Sequence, residues 1–250
     1  MSDRALAERL VRLAGAVALD LRGGAVEVKG AATDVVTEAD RRAEAAVVEL
    51  LRAERPADGV LGEEGGAVAG GARRWLLDPV DGTLNYASGL PAWCAAVCLV
   101  DDAGALACAV FDPVANELFS AARGEGASLD GVPLRVTAAP PLRDAVISTF
   151  VDVRRRDADI AAGTGRLLGS IGALRAVGCG TLELAWIAAG RLHGWVQADV
   201  EPWDWQPGAL LVAEAGGAAR VAGRWHVAAG GEGLADELCE VVAGTGELRQ

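Results

Sequence analysis

The chain has 250 residues, 52% of them apolar, and a net charge of −12 from 23 basic and 35 acidic side chains. That is enough chain for a large buried core. The acidity excludes a basic nucleic-acid surface, and no apolar run approaches the roughly 18 residues that cross a bilayer. The start, MSDRALAERL, is charged and has no apolar signal core, so a cytoplasmic protein is expected. Five cysteines, at 94, 98, 108, 179 and 239, are odd in number and scattered. Four lie in apolar stretches, which fits reduced buried thiols, and Cys94 and Cys98 lack the second pair that a zinc site needs.

Leu6, Leu10, Leu13, Val17 and Leu21 share one helical face. Residues 3–22 therefore read as an amphipathic helix, stopped by Gly23 and Gly24. Thr37, with Asp40 three residues on, is close to a capping box and predicts a second helix running to Pro56. Strands are expected at 58–61, 74–78, 92–101, 105–112 and 116–121, with a loop or hairpin at 124–134. After Pro140-Pro141, strands near 145–150, 174–177, 194–198 and 218–221 alternate with helices near 157–168, 180–190, 204–215 and 233–243. Such alternation suggests a layered α/β half. The expected organisation is one domain, with an N-terminal α+β half (1–140) and a C-terminal α/β half (141–250) and no flexible linker.

Residues 75–86 read WLLDPVDGTLNY. Three apolar residues run into Asp78, Pro79 fixes one backbone angle, and Gly82 permits a turn that other residues resist. Two carboxylates and a hydroxyl are presented at the end of a strand, on a tight turn. Hard cations such as magnesium take oxygen donors of this kind. A strand-end turn with solvated aspartates is the plain alternative. Downstream, EPWDWQPGALLVAEAGG (201–217) puts Asp204 at the N-cap of an expected helix, with Pro207 in its first turn and Gly216-Gly217 at its end. LGEEG (61–65) places Glu63 and Glu64 after a short apolar run.

Together with KGAATDVVTEAD (29–40) and RAVGCG (175–180), these segments resemble the inositol monophosphatase family over nearly the whole chain. The resemblance implies a layered αβαβα sandwich, two or three Mg2+ ions per site, lithium sensitivity and a homodimer. The implied reaction is hydrolysis of a small polyol or sugar phosphate by metal-activated water attack. It implies Glu63, Asp78, the Val80 carbonyl, Asp81 and Asp204 as metal ligands, with Glu63 also positioning the water. Thr83 would hydrogen-bond that water, and Asp40 would orient Thr83. Asp81, Gly82, Thr83, Gly178, Cys179, Gly180, Gln197 and Asp204 would line the substrate site. Lys29, the only lysine against 22 arginines, would lie near the metals. Glu64 would stand behind them.

Other phosphatase chemistries find little support. His193 and His226 sit in no motif, no cysteine is followed six residues later by arginine, and Asp78 and Asp81 are three apart rather than two. There is no GxxxxGK loop. Substrate choice is less defined than reaction class. Gln197 stands where inositol-selective members carry an acid, and Cys179-Gly180 replaces a Thr-Ala pair of the polyol pocket. The alternatives are a histidinol-phosphate or 3′-phosphonucleotide phosphatase of the same superfamily, or a non-catalytic regulatory or interaction protein on this fold. No nucleic-acid or membrane partner is expected.

Overall fold

The computed structural model describes residues 1–28, 35–150 and 157–244. Helices α1 (Asp3–Asp20) and α2 (Glu38–Glu54) turn Leu6, Leu10, Val47 and Leu51 into a buried layer. The capping box at the start of α2 is complete: Thr37 and Asp40 each accept from the other's backbone N–H. Between the helices, β1 (Val26–Val28) and β2 (Val35–Thr37) form a small antiparallel ladder.

These helices cover one face of an eight-stranded sheet. Its strands are β3 (Gly59–Gly62), β4 (Ala67–Val68), β5 (Arg74–Asp81), β6 (Cys94–Asp101), β7 (Gly104–Asp112), β8 (Glu117–Ala122), β9 (Gly126–Leu129) and β10 (Val132–Pro133). Their order is β10-β9-β8-β7-β6-β5-β3-β4, with β5 parallel to β3 and antiparallel to β6. A short helix, α3 (Thr83–Ala87), links β5 to β6.

The C-terminal elements are β11 (Val146–Thr149), α4 (Ala158–Ser170), β12 (Ala173–Arg175), α5 (Gly180–Ala188), β13 (Gly194–Ala198), α6 (Pro202–Glu214), β14 (Ala218–Ala222), β15 (Trp225–Ala229) and α7 (Glu232–Ala243). Their sheet runs β12-β11-β13-β15-β14. Helices α5 and α6 fill the space between the two sheets, and one core cluster takes Leu76 and Phe119 from the first sheet and Trp195 and Ala228 from the second. Helices α4 and α7 cover the far face of the smaller sheet. The layers are therefore α, β, α, β, α.

Several local features differ from the sequence reading, among them the β1–β2 ladder and the short β4. Helix α3 spans five residues, too few for a periodic signal. Strand β15 was not anticipated. It spans only five residues, Trp225–Ala229, after the Gly223 turn and pairs with β13 and β14. The helix expected to begin at Asp204 begins at Pro202, which occupies its first turn, while Pro207 lies buried inside it. Asp204 is thus the third residue of α6 rather than its cap.

The end of β5 is shaped by its own sequence. Asp78 faces Ala96 on β6, and Asp81 faces Cys94, so β5 advances three residues while β6 advances two. That is a β-bulge, and Pro79, which has no N–H to give the ladder, sits within it. Gly82 follows at φ +87°, where an added Cβ would lie 3.0 Å from the Ala92 carbonyl oxygen. A central strand buried on both faces is thereby turned sharply into α3, with Asp78 and Asp81 at the turn.

Candidate functional site

Four separate segments meet at this turn. Strand β3 ends beside β5, and the Glu63 N–H donates to the Leu77 carbonyl at 3.2 Å, which extends the pairing to Glu63. The loop beyond is held by Glu44, a buried carboxylate on α2 that accepts from the N–H groups of Glu64 at 2.9 Å and Gly66 at 2.8 Å. Glu64 lies on that loop within the field of Arg41. Helix α2 also contributes Asp40. One of its oxygens takes the N–H and hydroxyl of Thr37, and the other lies 3.1 Å from the Thr83 hydroxyl. The Thr83 hydroxyl is also 3.0 Å from the Val80 carbonyl. Lys29 lies outside the described residues.

The carboxylates act on one another through their charges. Burial pushes the Asp78 carboxyl well above the usual range, and the charges of Glu63, Asp81 and Asp204 each push it further. Burial does the same to Asp204, reinforced by Asp81 and Glu63 and opposed by a hydrogen bond with Asp78. Burial raises Asp81 as well, opposed first by the Thr181 N–H, which donates to its Oδ2 at 2.7 Å. Among the described residues, no arginine or histidine forms an ion pair with Asp78, Asp81 or Asp204. Buried carboxylates without a countercharge are costly. The carboxylates and the Val80 carbonyl offer oxygen donors, and that part of the site fits a hard divalent cation such as Mg2+.

The opposite wall is the start of α5, where the sequence reading expected Gly178, Cys179 and Gly180 but missed Thr181, as it missed Asn85 on α3. Thr181 joins two parts of the site. Its N–H reaches Asp81 and its hydroxyl donates to the Asp204 carbonyl at 3.0 Å. Cys179, at the N-cap of α5, places Sγ 3.3 Å from Asp81 Oδ2. Gly178 stands just before it at φ +84° and Gly180 just after it, at the first position of the helix. Asn85 on α3 donates to the carbonyls of Ala92 and Val177, both at 2.8 Å, and so ties the β5 turn to the loop before α5. The Asn85 signal was in the WLLDPVDGTLNY run, but a side chain that serves only carbonyls distant in sequence has no local signature.

Gln197 on β13 lines the same cleft as Asp204, in a cavity of about 140 Å³ with Thr149, Phe150, Thr164 and Trp225. His193 serves the fold: its Nδ1 accepts from the Val146 N–H at 2.9 Å.

Glu183, one turn into α5, is fully buried. It accepts from the Val177 N–H at 2.9 Å and from the Ser148 hydroxyl, so it steadies the loop that leads to Cys179. Burial raises its pKa from 4.5 to about 7, against those two hydrogen bonds. Between these values the folded state holds a proton that the unfolded chain has released. Stability therefore falls as pH rises through this window, by on the order of 3 kcal/mol once pH exceeds the folded value. Glu183→Gln should flatten the change in melting temperature between about pH 5 and about pH 8, measured at saturating Mg2+. Equal pH slopes for the two proteins would contradict this.

The family model described as the inositol monophosphatase family matches residues 3–240. An inositol-1-monophosphatase of Rhizobium meliloti is 39% identical over 223 residues, covering 88% of this chain and 81% of the relative. A protein of Xylella fastidiosa named Nus factor SuhB is 37% identical over 186 residues, covering 74% of this chain and 68% of the relative. The structure of an IMPase from Thermotoga maritima superimposes with a TM-score of 0.86 at 29% identity, covering 98% of each chain. This chain belongs to the inositol monophosphatase family.

Proposed function

We propose that the chain is a Mg2+-dependent phosphomonoesterase acting on a small polyol or sugar phosphate. The observation that carries this is the grouping of Glu63, Asp78, Asp81 and Asp204, in which the charges of Glu63 and Asp81 raise the pKa of both Asp78 and Asp204, beside the Thr83–Asp40 contact. These four carboxylates and the Val80 carbonyl would hold the metal. When bound, Mg2+ supplies Lewis acidity and positive charge for attack on a phosphate ester.

The remaining work falls to the chain's own groups. Asp40 is pinned by two bonds from Thr37, so its free oxygen presents a fixed acceptor to Thr83. A hydroxyl has one proton, and once that proton goes to Asp40 or the Val80 carbonyl, the Thr83 oxygen faces the cleft as an acceptor. It then orients an attacking water by taking one of its protons in a hydrogen bond. Glu63 positions the same water. The N–H groups of Gly82 and Thr83 lie at the start of α3, where no intrahelical acceptor exists, and they donate to the phosphate. Gly178, Cys179, Gly180, Gln197 and Asp204 form the wall beside the leaving group. A homodimer and a cytoplasmic location belong to the same proposal, on family membership alone.

The name Nus factor SuhB carried by several relatives motivates a second reading, an interaction protein without turnover. The retained carboxylate cluster favours the enzyme, because buried charges of one sign destabilise a protein that never binds cations. Turnover of a generic phosphomonoester separates the two. Activity should require Mg2+ and vanish in excess chelator. Asp204→Asn should lower kcat/KM by at least about a hundredfold, beyond the losses typical of residues behind the ligands. Full activity in metal-stripped protein would overturn the proposal.

Gln197 sharpens the substrate question. A carboxylate accepts from two neighbouring hydroxyls, whereas glutamine has no charge and adds an N–H2 donor. Myo-inositol 1-phosphate should be a modest substrate within a panel of polyol, sugar, histidinol and nucleotide phosphates. Gln197→Glu should raise its kcat/KM about tenfold relative to an ester lacking vicinal hydroxyls, equivalent to ~1.4 kcal/mol. A strong preference for the inositol ester in the unmodified chain would show that recognition comes from elsewhere in the pocket.

A further inference from the structure

Strand β6 and the start of α5 bring two thiols, 85 residues apart in sequence, onto one carboxylate. Cys94 and Cys179 are fully buried, and their Sγ atoms are 3.6 Å apart. Asp81 Oδ2 lies 3.3 Å from the Cys179 sulfur and 3.9 Å from the Cys94 sulfur. Among the described residues these three form the cluster of Cys, His and acidic donors compact enough to grip one ion.

The triangle has a recognisable shape. A tetrahedral zinc with sulfur bonds of about 2.3 Å and an oxygen bond of about 2.0 Å spans ~3.8 Å from sulfur to sulfur and ~3.5 Å from sulfur to oxygen. Each observed edge is within about 0.4 Å of the corresponding tetrahedral edge. The donors are also held in place. Cys94 sits in the β5–β6 ladder opposite Asp81, Cys179 caps α5, and the Thr181 N–H fixes Asp81 Oδ2 at 2.7 Å while leaving that oxygen a further lone pair. Asp81 and Gly180 are only partly buried, which opens the triangle toward the cleft.

We propose that Asp81, Cys94 and Cys179 form a site for a thiophilic divalent cation such as Zn2+ or Cd2+. Soft thiolates select such ions over Mg2+. Binding forms two metal–sulfur bonds and one metal–oxygen bond, and both thiol protons leave to solvent, so no oxidant or reductant takes part. The fourth position faces the cleft. Occupancy also draws on Asp81. Antagonism with Mg2+ therefore follows, and that consequence alone rests on the magnesium reading above.

The test is a Cd2+ titration of the full chain, first without Mg2+ and then at rising Mg2+, with the thiols kept reduced by a phosphine. The readouts are the ultraviolet cadmium–thiolate charge-transfer band and the ions bound per chain by equilibrium dialysis. Unmodified protein and Cys108→Ala should both bind one Cd2+ with a two-thiolate band. Cys98 and Cys108 face each other across β6 and β7 with no such carboxylate, so Cys108 is the matched control. Cys94→Ala should weaken binding by at least about a hundredfold, more than a residue behind the ligands would. Cys94→Ser keeps the shape of the site and should lose one thiolate from the band, which covers the case in which the alanine variant fails to fold. No charge-transfer band, or a band unchanged in Cys94→Ser, would overturn the site. Phosphatase turnover is followed in parallel: Cd2+ binding as described in a protein with no turnover would leave this site standing and remove the enzyme reading.

Discussion

Repulsion among buried and half-buried carboxylates is the constraint on which the rest of this structure depends. Asp78, Asp81 and Asp204 are pushed toward their neutral forms by burial, and the charge of Glu63 adds to the pressure on Asp78 and Asp204. A soft scaffold would relieve that pressure by moving the side chains into water. This one resists. Two of the carboxylates sit at the end of β5, which is buried on both faces and paired on both edges. The bulge at Pro79 and the left-handed turn at Gly82 fix where that strand stops. Such a cluster favours the binding of something positive, and the proposed Mg2+ chemistry rests on that preference.

The opposing forces come from the other layers. The first N–H groups of α5 point at Asp81, and the helix dipole favours the charged carboxylate there. Thr181 links Asp81 to the backbone of Asp204, Asn85 links the β5 turn to residue 177, and Glu183 holds that same residue from behind. Glu44 orders the loop of Glu63 from α2. Thr181 to Asp81 crosses from the helices between the sheets to the larger sheet, and Glu44 reaches from α2 to the loop after β3. The candidate site is therefore built at the junction of the two sheets and the helices between them, and its geometry depends on the packing of α5 and α6. Gly208 shows how close that packing is, since an added Cβ would lie 2.4 Å from Leu184.

The sequence made part of this legible. Periodic leucines gave α1, and the Thr37–Asp40 pair gave the start of α2, because both signals are local. Asp78, Asp81, Gly82 and Thr83 share one short run, so their proximity could be read directly. Glu63 and Asp204 reach the same place only through tertiary contacts, and only the family resemblance put them there beforehand. The start of α6 was misplaced because Pro202 and Asp204 are both good signals for a first turn, and the proline won. Thr181, Asn85, Glu183 and Glu44 carried no warning. A side chain that bonds to backbone groups distant in the chain leaves no mark on its own neighbourhood. The cysteines show the same limit, since spacing set Cys94 beside Cys98 whereas the fold sets it beside Cys179.

The central claim is that buried like charge is held in place for a cation. It is tested most directly by thermal melting of the unmodified chain and Asp78→Asn, each in excess chelator and in saturating Mg2+. Removing one charge from a cluster of like charge relieves repulsion, so the variant should melt higher than the unmodified chain in chelator. In Mg2+ the order should reverse, because ligand binding stabilises the native state in proportion to affinity and the variant has lost an anionic ligand. A variant that melts lower in both conditions, or an unmodified chain that Mg2+ leaves unchanged, would contradict the account.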